Sequence, residues 1–196
     1  MILAACLFGI LYGLMHGGRI RSIGRKHFRF WPLLFVSLAC EWLLASAWFH
    51  GAVAGKRIIE VMPVFLAVVQ YGLISIFLLR NWRKPGLLAV LAGSVLNGLV
   101  IIANGGRMPI VEAIYRFSEE AAAKINQAPH YFLATGSEPL LYLADRIPLW
   151  TYMVSVGDLL IGAGMFFLGA YLPRRILRPR PKRVEERPDI RYTEGR

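Results

Sequence analysis

Four polar side chains interrupt otherwise apolar runs of this chain: Glu41, Gln70, Asn97 and Asp158. An ionisable group at the centre of a bilayer costs about 2.5 to 3.5 kcal/mol on insertion scales, so Glu41 and Asp158 each call for a partner or a task. Gln70 and Asn97 read as hydrogen-bonding links between helices, worth about 0.6 kcal/mol each. Asn104 and Arg107 follow the run that holds Asn97, while Asp145 and Arg146 precede the run that holds Asp158. Glu41, Asn97, Asn104, Arg107 and Asp158 thus outline a polar pocket, in which Arg107 could neutralise Asp158 or Glu41.

The most distinctive short stretch is NGGRMPI, from Asn104 to Ile110. Gly105 and Gly106 permit positive φ and a sharp turn, and Pro109 suits the first turn of a new helix. The turn N–H groups could also form an anion nest beside Arg107. The Gly and Lys spacing of a phosphate loop is missing, so the stretch reads as an elbow between helices. His16, His27, His50 and His130 are dispersed, and none has a partner at metal-ligand spacing. Cys6 and Cys40 read as small buried hydrophobes. No metal and no cofactor is expected.

These residues must be positioned by apolar elements. Of 196 residues 56% are hydrophobic and 18% charged, and a mean hydropathy of +0.49 calls for lipid to cover so much apolar surface. Runs of about 20 residues suffice to cross a bilayer. Five stretches approach or reach that length: Ile2 to Gly18, Trp31 to Phe49, Val61 to Leu79, Gly86 to Ala103 and Leu149 to Leu172. A spanning segment satisfies its own backbone as a helix, so the expected fold is all-α, a polytopic bundle of five transmembrane helices. Seventeen basic residues fall on one side of these spans and six on the other, which places the amino end outside and the tail in the cytoplasm. The net charge of +11 is distributed as topology requires, and nucleic-acid binding is not expected.

Ala5, Gly9, Gly13 and Gly17 form a small-residue stripe on the first helix. Such a face packs against another helix of the bundle or against a partner or second copy. Ala89, Gly93 and Asn97 mark a weaker stripe that could complement it. Asn104 to Pro148 is too long for a structureless connection, and Ile110, Ile114, Phe117, Ala121 and Ile125 would share one face of an external amphipathic helix beginning near Pro109. A turn is expected at Thr135 to Pro139, and Leu140 to Ala144 suits a short re-entrant or interfacial helix. The domain therefore covers 1–175, and 176–196 reads as a disordered basic tail drawn to anionic lipid.

At NGGRMPI, His130, LADRIP (Leu143 to Pro148) and SVGDLLIGAG (Ser155 to Gly164), the chain resembles a bacterial integral-membrane family known only as domain of unknown function 5317. That resemblance implies a multi-pass protein of a bacterial cytoplasmic membrane and no activity. LADRI and SVGDLLIGAG are also similar to lipoprotein signal peptidases, whose Asp-Arg motif and later Asp supply two catalytic aspartates. Carried over, these would be Asp145 and Asp158, sharing a proton to activate water. The Gly-Asn before the first motif is missing, and Ser155 and Gly157 stand in place of an Asn and an Ala.

The preferred functional reading is non-catalytic binding or scaffolding around the polar pocket. Transport of a small solute or protons is the first alternative and an intramembrane aspartyl hydrolase the second.

Overall fold

The computed structural model describes residues 1–45, 58–111, 130–149 and 152–174, with 120, 123, 125 and 128 between them. The Glu41 side chain, most of the expected amphipathic helix and the tail from 175 lie outside the described residues. Five α-helices stand among those described: α1 (Ile2–Met15), α2 (Pro32–Ala45), α3 (Ile58–Arg80), α4 (Leu87–Ala103) and α5 (Val156–Tyr171). One of them, over Val61–Arg80, is long and apolar enough to cross a membrane. The helices α1, α4 and α5 are apolar but run 14, 17 and 16 residues.

The principal helix contacts form a row: α1 on α5, α5 on α4, α4 on α3, and α3 on α2. Small residues set the two contacts that α5 makes. A Cβ on Gly9 would stand 2.1 Å from the Phe166 carbonyl oxygen, and one on Gly93 would stand 2.3 Å from that of Gly157. Thus the first stripe packs on α5, and the Gly93 stripe packs on another face of α5 rather than on α1. Gly17, assigned to the same stripe, meets nothing within 4 Å. At one end of the bundle Phe77 and Leu78 of α3, Leu87 and Val90 of α4 and Leu168 of α5 form a core cluster, each side chain contributing about 1.5 to 3 kcal/mol on burial. The Asn81 amide ties the preceding loop to this end, accepting the Arg29 N–H at 2.9 Å and donating to the Arg29 carbonyl at 2.8 Å.

The opposite end departs from the all-α expectation, because short strands fill it. Strand β1 (Met108–Ile110) pairs in parallel with β2 (Tyr131–Leu133), Met108 opposite Tyr131. Its other edge is bridged to Asp145, whose N–H donates to the Pro109 carbonyl at 3.3 Å and whose carbonyl accepts the Val111 N–H at 3.0 Å. Pro109 therefore lies in a buried strand and does not begin a helix. Its lack of an N–H costs nothing in this strand, since it pairs through its carbonyl. Leu141–Leu143 forms one 3₁₀ turn, shorter than the interfacial helix expected there.

Strands β3 (Ile147–Leu149) and β4 (Tyr152–Val154) form an antiparallel hairpin with Ile147 opposite Val154. The expected fifth helix from Leu149 is corrected accordingly: α5 begins at Val156. Ser155 is its N-cap in a capping box with Asp158, and the preceding aromatic and apolar residues pair as strands.

Candidate functional site: a carboxylate pair over one cavity

The site begins where α4 ends. Asn104 Nδ2 donates to the Val100 carbonyl at 2.8 Å and to the Pro139 carbonyl at 3.0 Å, closing the helix. Gly105 and Gly106 then adopt φ of +70° and +86°, and the Gly106 N–H reaches back to the Ile101 carbonyl at 2.8 Å in the manner of a Schellman motif. Gly106 also rests on Pro63 of α3, where an added Cβ would stand 2.7 Å from that ring. The elbow thus fixes the start of β1, and β1 fixes the backbone of Asp145.

Asp158 is positioned from the other side. As the third residue of α5 its N–H donates to Ser155 Oγ at 2.9 Å, and its Oδ2 accepts the Ser155 N–H at 3.2 Å. Ser155 Oγ donates to Asn97 Oδ1 at 2.8 Å, and Asn97 Nδ2 donates to Asp158 Oδ1 at 2.9 Å. Asn97, Ser155 and Asp158 therefore close a ring of hydrogen bonds between α4 and α5. The ring needs the close helix approach, since a Cβ on Gly157 would stand 2.0 Å from Asn97 Oδ1. Ser155 is fully buried at 0% exposure, so its hydroxyl has no water to fall back on.

A cavity of about 150 Å³ opens beside this ring, lined by Gln70, Tyr71, Asn97, His130, Asp145 and Asp158 among others. Asp145 is 6% exposed, and its Oδ1 is a buried atom without a hydrogen-bond partner among the described residues. Burial, and then the negative charge of Asp158, push the Asp145 carboxyl up to about 7. His130 Nε2 is likewise buried and unpartnered, while the His130 carbonyl accepts the Met108 N–H at 2.8 Å. The cavity is thus bounded by two carboxyl groups with unequal surroundings and by an imidazole edge.

Of the residues singled out from the sequence, Asn97 and Asp158 meet directly. Asn104 serves the helix end, and Gly105 faces open space. Arg107 forms no ion pair with Asp158: its Nη2 donates to the Tyr131 carbonyl oxygen, and its guanidinium lies 5.5 Å from the centre of the Phe132 ring. The reason is local, because β1 pairs with β2 and carries Arg107 toward that strand. Asp158 stands in the first turn of α5, not near the middle of a span. Tyr71 was not singled out from the sequence, and Ser155 was singled out only through the family resemblance; the Ser-x-x-Asp spacing of Ser155 and Asp158 was the available signal for its capping role. Among the described residues no group of three or more His, Cys, Asp or Glu stands close enough to hold a metal ion.

Every residue of this site lies within 25–169, which match the sequence profile of a family of unknown function, DUF5317. The chain belongs to that family. An uncharacterized protein of Thermotoga maritima is 27% identical over 134 residues, covering 65% of this chain and 76% of its own. No solved structure matches the chain. The family brings no activity with it.

Proposed function

We propose that this DUF5317 protein is a multi-pass membrane protein with an acid–base aspartate pair, a hydrolase acting on a polar bond presented at the outer end of its helix bundle. The membrane placement is supported by outward-facing Leu3, Phe8, Phe35, Leu38, Trp42, Val61, Leu99 and Phe167, all at least half exposed on five different helices. Soluble monomers rarely expose contiguous apolar surface on that scale. Basic residues gather at the helix ends remote from the cavity, and the positive-inside tendency supports a reading with the cavity outside and the tail in the cytoplasm.

One observation carries the chemistry: Asp145 and Asp158 line a single cavity, and Asp145 keeps its proton to about pH 7 while Asp158 accepts N–H bonds on both oxygens. Two carboxyl groups whose surroundings separate their proton affinities divide into an acid and a base. In the proposed step Asp158 takes a proton from water as the water oxygen attacks a carbonyl carbon, and Asp145 donates its proton to the carbonyl oxygen. Collapse of the tetrahedral intermediate breaks the bond to the leaving group, which takes a proton from Asp158, while Asp145 recovers its own. The products are an acid and an amine or alcohol, with both aspartates restored. Asp145 lies outside the proposed spans, and its bridge to β1 fixes the backbone from which its carboxyl lines the cavity it shares with Asp158.

A second reading, non-catalytic binding of a small polar solute, is favoured by the modest cavity volume, room for about five waters. The two readings separate in cells of a strain lacking the gene, complemented with wild type, Asp145→Asn or Asp158→Asn. Comparing new peptide termini and released membrane fragments by mass spectrometry should show products made only with wild type. An unchanged profile in both variants, at wild-type abundance in the membrane fraction, would end the hydrolase reading and leave binding.

A further inference from the structure

The end of the molecule remote from the aspartates carries a different feature. A cleft of about 400 Å³ lies there, lined by Tyr12 of α1, Pro85, and Phe166, Phe167, Tyr171 and Arg174 at the close of α5. Its α5 residues begin at Phe166 and reach Tyr171, about 12 to 20 Å along the helix from Asp158. Arg174 lines it, and further basic side chains stand at the same end of the bundle. The Lys26 ammonium stands 4.0 Å above the Tyr171 ring, and the Lys84 ammonium 4.8 Å from the Phe28 ring. No Asp or Glu occurs in the sequence over 1–40, 61–111 or 159–174, the segments that build this end. Its cations are therefore held over aromatic rings, and the local charge lacks a counterion from those segments.

The cleft walls point to an amphiphile. Phe167 and Tyr12 are exposed and continuous with exposed Phe8 and Leu11 along α1, so the cleft opens onto the apolar face of the bundle. A free anion would satisfy Arg174 and Lys26 but offers nothing to the rings, whereas a neutral lipid satisfies the rings and leaves the charge. We propose that this cleft is a binding site for one anionic phospholipid, its phosphate between Arg174 and Lys26 and an acyl chain along Phe166 and Phe167. The site rests on the membrane placement proposed above and is independent of the aspartate pair.

The test uses the purified full chain in neutral maltoside micelles, with dioleoyl phosphatidylglycerol, dioleoyl phosphatidylcholine or inorganic phosphate added at equal concentration. Phosphatidylglycerol should raise the thermal unfolding midpoint and remain bound in native mass spectrometry, and the other two should not. Arg174→Gln combined with Lys26→Gln should weaken the phosphatidylglycerol response by about tenfold or more, given the attraction each near-surface cation supplies. Phe167→Ala, at an exposed position that folding does not depend on, should weaken it as well. Equal responses to both lipids, a phosphate response matching that of phosphatidylglycerol, or an unchanged response in Phe167→Ala would overturn the site. Failure of the membrane placement shows separately, as recovery of the chain in the soluble fraction without detergent.

Discussion

Ile147 stands opposite Val154 in an antiparallel hairpin, and this pairing brings Asp145 and Asp158, thirteen positions apart in sequence, to the same cavity. Beyond the hairpin the chain runs one way into the bridge with β1 and the other way into the N-cap of α5. Each aspartate is thereby anchored by backbone that a different element holds.

The Asp145 proton is the most direct consequence. Its carboxyl is raised from 3.8 to about 7, so the folded protein binds a proton there that the unfolded chain has already released between those values. Stability attributable to this group is therefore full below about pH 4, falls as pH rises toward 7, and is flat above. Asp145→Asn should raise the unfolding midpoint at pH 8, by about 2 to 4 °C per kcal/mol relieved, and leave it unchanged at pH 4. Asp158→Asn should move the carboxylic acid infrared band of Asp145 to titrate at lower pH, since one of the two causes of its shift is removed.

The ring joining Asn97, Ser155 and Asp158 predicts a shared loss. Asn97→Ala leaves the Ser155 hydroxyl without its acceptor and Asp158 Oδ1 without its donor, a cost of about 1 to 3 kcal/mol for a buried group left unpaired. Ser155→Ala removes the cap and should cost about 1 kcal/mol. The double variant should lose less than the two single losses added together, because both act on one network. Strict additivity in chemical denaturation would show that the ring does not act as a unit.

Helix approach can be tested at glycines of contrasting surroundings. Gly157→Ala places a methyl 2.0 Å from Asn97 Oδ1 and should cost about 1 to 3 kcal/mol as α4 and α5 are forced apart. Gly72→Ala meets nothing within 4 Å inside α3 and should stabilise by about 0.5 to 1 kcal/mol. Equal behaviour of the two in thermal unfolding would contradict the packing.

Orientation has its own measurement. With Cys6 and Cys40 replaced by serine, Ser137→Cys beside the cavity end should react with an impermeant thiol reagent in intact cells, and Gly24→Cys at the basic end should react only after the membrane is opened. The reverse pattern would invert the proposed placement.

The helices were legible because their signal is local: long apolar runs with Gly86 and Asn104 at the limits of α4 place that element closely. The Gly9 and Gly13 face was legible as a contact, but its partner was not, since a small-residue stripe carries no address. Strands of three residues give too short a period to recognise, so Pro109 suggested a helix start and Leu149 a span. That error moved Asp158 toward mid-helix and hid Ser155 as its cap. The meeting of Asn97 with Asp158 was anticipated only as a match of depth; the hydrogen bond depends on the Gly93 and Gly157 approach, which no spacing within either helix declares.

The packing of α1 against α5 has a consequence for synthesis. The ribosome makes α1 well before its main neighbour α5, so about 140 residues are translated before the surface carrying Gly9 and Gly13 finds its mate. Until then α1 is an orphan, and a chain cut short before Val156 would never relieve it. Such fragments should be recognised as unfinished and degraded, which makes α5 the quality seal of α1.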